Sequence, residues 1–496
     1  MAYKHGVYVS EVPTSLISPV AVDSAIPVFV GTAPLHLSQT GLEELDKKVN
    51  NPILAYQYDE AVNKLGFIRD SKSWGKYTLS QCIYSQFALL AVSPAIFINV
   101  LNPRIHKKAA ALKNYPVKDG QAILGEDVIL DSVIVQTDES GPDAYEIGVD
   151  YSLAWDRNGE AVLNVLAGGA IPSASVGLWV KFDVIDSSMV TDYDIIGGFN
   201  VTTQSYEGLE LVNDIFPKFR LVIGSIVTPK YSQSSAVAAV MYAKSNAVSG
   251  VFQAMAIVDI PSDKVSGITD YTDAPEWKNQ KNLVYDKQIV CWPKVRLGDD
   301  TFDLSVQIAG LMGKVDAEYG GVPVAAFSNR NLQMDSCVLE DGKEVNLNLY
   351  TQANYLNGEG ITVPVNWIGG WRAWGVQTAA YPANTDIKDS MISVRRMFNW
   401  LANTLILTYF QKVDLPMTKR NIETIVDSVN VWLNGLAARE FLVGHPRVDY
   451  DEADNPPTDA IAGITRFHIF ATPPPSMKEI EFILEFDVAQ MATLFA

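Results

Sequence analysis

Leu221-Val222-Ile223-Gly224-Ser225-Ile226-Val227-Thr228, then Ser234 to Ala247, then Gln253-Ala254-Met255-Ala256-Ile257-Val258-Asp259-Ile260 is the passage whose rhythm sets the fold. Two short apolar runs flank a stretch of helical length, and Asp286 to Trp292 supplies another such run downstream. Strand, helix, strand alternation of this kind specifies a mostly parallel α/β sheet. Upstream, Ile26 to Gly31 and Ala95 to Leu101 read as buried strands with a helix near Leu79 to Val92 between them, a β-α-β crossover. Before these, Val7-Tyr8-Val9-Ser10 alternates between Gly6 and Pro13, which makes residues 1–24 an arm with one strand in it.

Between the two α/β passages the composition changes. Residues 107–200 hold 6 basic and 15 acidic residues, −9 of the chain's formal charge of −19. The runs Val128 to Gln136, Tyr145 to Trp155, Ala161 to Leu166 and Val176 to Ile185 are short, β-branched or aromatic, and separated by Gly, Pro and Asp. That pattern predicts an all-β insertion built as a small sandwich. Past Pro382, apolar residues at helical spacing predict helices over Thr385 to Lys412 and Thr418 to Arg439. Strands over Thr465 to Ala471 and Lys478 to Val488 follow, with Pro473, Pro474 and Pro475 between them. The organisation expected is therefore an arm (1–24), a first part of the core (25–106), the acidic insertion (107–200), the α/β domain (201–384) and an α+β C-terminal domain (385–496).

The chain has 496 residues, 48% hydrophobic and 19% charged, a folded composition. At roughly 100 to 200 residues per domain it makes about three domains. The net charge of −19 disfavours nucleic acid and anionic membranes as partners. No basic segment followed by an apolar one opens the chain, and Phe87 to Leu101 is broken by Ser93, Pro94 and Asn99, so neither a signal peptide nor membrane insertion is expected. Cys82, Cys291 and Cys337 are far apart and form no CxxC pair, as free thiols in a reducing compartment would.

Catalytic and cofactor motifs are missing. Gly358-Glu359-Gly360 lacks the third glycine of a dinucleotide loop, no phosphate-binding loop or GxSxG elbow occurs, and His5, His36, His106, His445 and His468 have no metal-ligand spacing. Asp449, Asp451, Asp454 and Asp459 lack the order of a calcium loop and read as a solvated turn, and the sequon at Asn200 is accidental without a secretory signal. Asp259 ends an apolar strand where α/β enzymes often place a carboxylate, but no His and Ser segment follows to complete a triad, so it reads as a strand-end cap. No catalytic, cofactor or metal residue is assigned.

The C-terminal run is the informative one. Ile480, Phe482, Leu484, Phe486 and Val488 share one face of an extended segment, and Glu479, Glu481, Glu485 and Asp487 lie on the other. Such a strand needs a partner for its edge and a cover for its apolar face. The strand around Val7 and Val9 has the same need. Pairing within the chain and exchange between subunits both satisfy it, and the pattern alone leaves the two open.

His5 to Pro13, Ala25 to Pro34, Asn102-Pro103-Arg104, Asp194 to Gly198, Thr228 to Ser232, Val258 to Pro261, Arg372 to Thr378 and Val394 to Asn399, taken in order, resemble the contractile tail sheath proteins of bacteriophages. The resemblance spans nearly the whole chain. It implies an α/β plus β multidomain fold: a middle domain likened to subtilisin without the protease's catalytic set, a β-sandwich insertion, and a C-terminal domain whose sheet accepts terminal strands from neighbouring subunits. On that reading the inter-subunit strands carry Val7, Val9, Ile480, Phe482, Leu484 and Phe486. The implied partners are further copies in hexameric rings stacked as a helical sleeve, the tail tube protein, and the baseplate and tail terminator proteins; the implied place is the virion tail, assembled in the host cytoplasm. Smaller relatives lack so large an insertion, and its acidity is expected to place it on the outside of the sleeve. In the first C-terminal helix Arg396, Asp389, Trp400, Asn403 and Leu407 project together opposite the apolar stripe, a second contact face. Either that face packs inside the subunit, or Arg396 with Arg395 beside it meets acidic groups on the tube. An α/β enzyme with an unrecognised site and a non-contractile shell protein are the alternatives.

Overall fold

The computed structural model describes residues 17–20, 22–38, 45, 47–139, 143–156, 158–172 and 176–495. Its centre is an eight-stranded sheet made of β1 (Pro27–Gly31), β2 (Ile53–Ala55), β3 (Ala95–Asn99), β4 (Ser225–Val227), β5 (Met255–Asp259), β6 (Gln288–Cys291), β7 (Ile361–Trp367) and β8 (Gly370–Trp374). The spatial order is β2-β3-β1-β4-β5-β6-β7-β8. All pairs from β3 to β7 are parallel, and an antiparallel strand closes each edge. A parallel sheet is buried on both faces. Here Val28, Ile96, Ile226, Val258 and Val290 line one face while Phe29, Phe97, Val227, Ile257 and Ile289 line the other. The register Val28↔Ile96 and Phe29↔Phe97 keeps each set in one layer.

Helices α1 (Thr78–Ile83) and α3 (Leu304–Glu318) cover the face with Phe29, and α2 (Ser235–Asn246) covers the opposite one. The strand and helix runs of the opening passage appear at β4, α2 and β5, each trimmed by one to four residues at its ends. Helix α3 was not anticipated. Eleven of its 15 residues are buried, so it carries no polar face and hence no amphipathic stripe to read.

The insertion consists of two three-stranded antiparallel sheets, Lys113–Pro116 with Gly177–Lys181 and Ile134–Gln136, and Gln121–Gly125 with Ala161–Val165 and Tyr151–Trp155. They enclose their own core of Leu124, Val135, Tyr151, Leu163, Val180 and Phe182. At the root, Lys107–Ala109 pairs with Asp183–Ile185. The strands of these sheets end at Ile185, and a separate hairpin pairs Gly198–Asn200 with Ser205–Glu207. The helix Asp192–Ile196 beyond Ile185 places Ile195 in the core of the α/β unit. The insertion is docked rather than tethered: Ile129 and Ile185 enter the α/β core, and Asp127 accepts from Tyr77 Oη at 2.6 Å and from Lys76 Nζ at 3.0 Å. His36 sits beneath it, its ring centroid 5.3 Å from that of Trp155, and burial lowers its pKa to about 4 although Asp127 pulls the other way.

A tight backbone approach occurs at Gly224, just before β4. A Cβ there would lie 1.9 Å from the Ser24 carbonyl oxygen. Gly224→Ala should therefore push the residues before β1 off the sheet at a cost of about 2 kcal/mol or more. Urea unfolding would register it, and a change within about 0.5 kcal/mol would mean that the approach is readily relaxed.

Candidate functional site

The described parts of both chain ends and a buried ion pair meet at helices α4 (Ile392–Tyr409) and α5 (Lys419–Ala438). Thr418 caps α5 by accepting from Asn421 N–H at 3.2 Å. The helix expected from Thr385 is broken instead at Met391, which is extended (φ −105°, ψ 120°) and bridges to Gln377. Thr378 N–H to Ser390 C=O and Ile392 N–H to Val376 C=O form this pairing, and only a short turn, Ile387–Ser390, precedes it. Helical periodicity runs through the break because the pairing that enforces it is tertiary.

The second face of α4 is real, and it is internal. Asn403 bonds both main-chain groups of Gln253 at 2.8 Å, and Asn399 donates to the Ala254 carbonyl, which seats the helix on the N-terminal end of β5. Trp400 Nε1 donates to the Val22 carbonyl at 2.9 Å. Arg396 makes a two-pronged contact with Asp316 at the end of α3, the two side chains being 3% and 2% exposed. Asp316 also accepts from Ser24 Oγ, which donates to the Gly321 carbonyl as well. A guanidinium so enclosed fits the first of the two alternatives for this face, packing inside the subunit, in place of a tube contact. Arg395 is spent the same way, 3.2 Å from Asp389 and 3.5 Å from Asp286, with its side chain 12% exposed.

This clamp fixes the root of the N-terminal arm. Ile17 N–H donates to Ser428 Oγ at 3.1 Å and Val20 N–H to Thr408 Oγ1 at 3.0 Å, so residues 17–20 and 22–24 lie against α5 and α4. Val7 and Val9 lie outside the described residues.

At the other terminus, a two-stranded antiparallel hairpin pairs Arg447–Asp449 with His468–Phe470 on α5, and Val448 N–H donates to Asn430 Oδ1 of that helix at 3.0 Å. Three prolines follow, and the chain is pinned at Ser476, whose N–H meets Met391 Sδ and whose Oγ meets Ser393 Oγ at 3.1 Å. Beyond Lys478 the chain finds no strand partner among the described residues. The expected strand Lys478 to Val488 is absent in the single subunit, although its amphipathic face is displayed: Phe482 is 84% and Leu484 95% exposed, and Ile480, Phe486 and Val488 are exposed too. Burying each such side chain would contribute about 1.5–3 kcal/mol. Together they form a row of five uncovered apolar side chains.

No protein-family model matches the chain. The tail sheath protein of Burkholderia phage BcepMu is 26% identical over 512 aligned residues, covering 99% of this chain and 98% of the phage protein. The chain is similar to this phage tail sheath protein over nearly its whole length. Two solved structures share its fold along nearly the whole length at 14% identity: the sheath complex of an extracellular contractile injection system, PVC, in its contracted state (TM-score 0.58, 99% of each chain), and the contracted helical sheath of the anti-feeding prophage AFP (TM-score 0.53, 97% of this chain and 98% of the other).

The end of β5, where an α/β enzyme would hold a reactive group, is packed shut. Asp259 accepts from Ser305 N–H at 2.9 Å and from Ser305 Oγ, and its own N–H donates to Ser232 Oγ at 3.1 Å. Asp303 nearby pairs with Lys294 at 3.2 Å, and Lys294 pairs with Glu340. Burial, then the Asp303 charge, pushes Asp259 up to about 7, against Ser305 and Lys294. All three cysteines are buried, and burial raises each thiol well above its ordinary value. No cluster of metal-ligating side chains and no helix long and apolar enough to cross a membrane occurs among the described residues.

Removing one member of the buried pair strands the other, so Arg396→Met should destabilise by about 3–5 kcal/mol in urea unfolding. Adding Asp316→Leu should recover most of the loss, because the desolvated charge is then gone. Asp259 titrates in the opposite sense from an ordinary ion-paired carboxylate. Its folded pKa lies above the unfolded value of 3.8, so the stability it confers is present below that value and is lost as pH rises toward about 7. Asp259→Asn should flatten this slope and exceed the wild type at about pH 8 by on the order of 2 kcal/mol, with no advantage near pH 4. Unfolding midpoints at the two pH values check it.

Proposed function

We infer that the chain is a structural, non-enzymatic subunit of a contractile sheath. Copies stack as hexameric rings into a helical sleeve around a tail tube, and shortening of the sleeve drives the tube through the host envelope. The observation that carries this reading is the exposed amphipathic tail from Ile480 to Val488, which only a second protein surface can complete. Solved structures with this fold include sheath complexes, which supports a neighbouring copy as that surface. Strand exchange suits a contracting array because main-chain ladders stay paired while whole domains turn as rigid bodies.

The remaining parts follow from the same reading. The parallel sheet is the subtilisin-like domain of the family, with Asp259 in a structural role. The arm before residue 17, with Val7 and Val9, is the second donated strand. The acidic insertion faces outward, where its like charges stay solvated. Baseplate and tail terminator proteins close the two ends of the sleeve, the tube protein fills it, and the assembly forms in the host cytoplasm before residing in the virion tail.

The test removes the donated strand and leaves the core. Deleting Lys478 to Ala496, or changing Phe482 and Phe486 to Asp, should give chains with an unchanged circular dichroism spectrum that sediment as monomers. The unaltered chain should form tubes visible by electron microscopy. Ordered tubes from either variant would refute strand exchange.

A further inference from the structure

The tail does not end with its amphipathic run. Val488–Phe495 wind into a 3-10 helix, and at about three residues per turn Val488, Met491 and Leu494 stand above one another on one exposed face. A second uncovered apolar surface lies at the turn between α4 and α5, where Val413, Leu415 and Met417 are exposed beside Ile464. Thr465 Oγ1, 3.6 Å from Met417 Sδ, holds the two loops together.

The hairpin on α5 decides how the two surfaces meet. In an antiparallel pair the N–H and C=O of one residue point to the same side, and the next residue's point to the other. Val448 N–H bonds Asn430 of α5, so it points away from its partner strand, and that edge is already occupied. Ile469 stands opposite Val448 in the register. Its N–H and C=O therefore point outward along the other edge of the hairpin, the edge to which another strand can add.

We infer that the tail of a second copy adds antiparallel to His468–Phe470 and that its terminal helix then seats Val488, Met491 and Leu494 on the surface formed by Leu415, Met417 and Ile464. Antiparallel addition carries the donated strand from the Phe470 end to the His468 end, which delivers its last residues beside Thr465 and Ile464. Parallel addition would deliver them beyond Phe470, away from that surface. The same chain's own tail is routed elsewhere: the prolines at 473–475 lead to Ser476, which is fastened to Ser393 at the start of α4. The inference rests on the proposed strand exchange and adds to it an edge, a direction and an apolar latch.

The buried native cysteines leave a clean background for thiol chemistry. Full-length chains carrying Leu494→Cys are mixed with chains carrying Ile464→Cys, assembled, and treated with a short bismaleimide. A covalent dimer is expected in the mixed sleeves, at least about five times more abundant than in sleeves of either variant alone. Ordered mixed sleeves without that dimer would overturn the inference, as would linkage within single unassembled chains that carry both substitutions. Phe482→Asp separates the two levels. If its chains still build sleeves, the exchange itself is wrong; if sleeves depend on Phe482 yet the two introduced thiols do not link, only the seat of the terminal helix is wrong.

Discussion

Arg396 and Asp316 meet at the N-terminal end of the sheet, where three stretches far apart in sequence have to be held together: the end of α3, the middle of α4 and the arm at Ser24. Two enclosed charges are costly to desolvate, and they persist only where each satisfies the other and further donors complete the set. Ser24 completes this one. The pair therefore acts as a geometric key, since any displacement of the arm root or of α4 by about an ångström leaves a charge unpaired in an apolar surround. With that point fixed, α4 presents its far side to α5, α5 supports the hairpin, and both chain termini leave the body from known positions.

Much of this was visible in the amino-acid order, for reasons that differ from element to element. The central strands were legible because a sheet buried on both faces writes continuous apolar runs such as Met255–Asp259. The amphipathic helix α5 was legible from its stripe. Helix α3 was hidden because burial on all sides erases periodicity. The break at Met391 was hidden because the bonds that enforce it come from residues 376–378. Projection of α4 found a second contact face correctly, but a projection shows only that a face is occupied. Whether Arg396 met its own chain or another protein was decided by Asp316, 80 residues away and in a helix the pattern did not reveal.

The tail shows the complementary limit. Its alternation was plain, and the geometry of a strand follows from alternation, yet a strand exists only when another strand bonds it. The single subunit thus displays the pattern of Ile480 to Val488 without the structure. The insertion stands at the other extreme, with its own core of Leu124, Val135 and Val180 closed within the subunit, and its attachment through Asp127, Ile129 and Ile185 makes it move with the α/β unit as one piece.

Three consecutive prolines, Pro473 to Pro475, stand between the hairpin and the point where Ser476 is fastened. Each fixes its φ near −65° and lacks an N–H, so the segment neither coils into a helix nor folds back as a hairpin. Mechanically it is a strut rather than a string. A flexible spacer of the same length would let the root of the tail wander over the surface of its own subunit. Held by the hairpin at one end and by Ser393 at the other, the strut keeps the point where the tail departs at a fixed place on its own subunit, so in the proposed sleeve the residues after Ser476 take up the shift between copies.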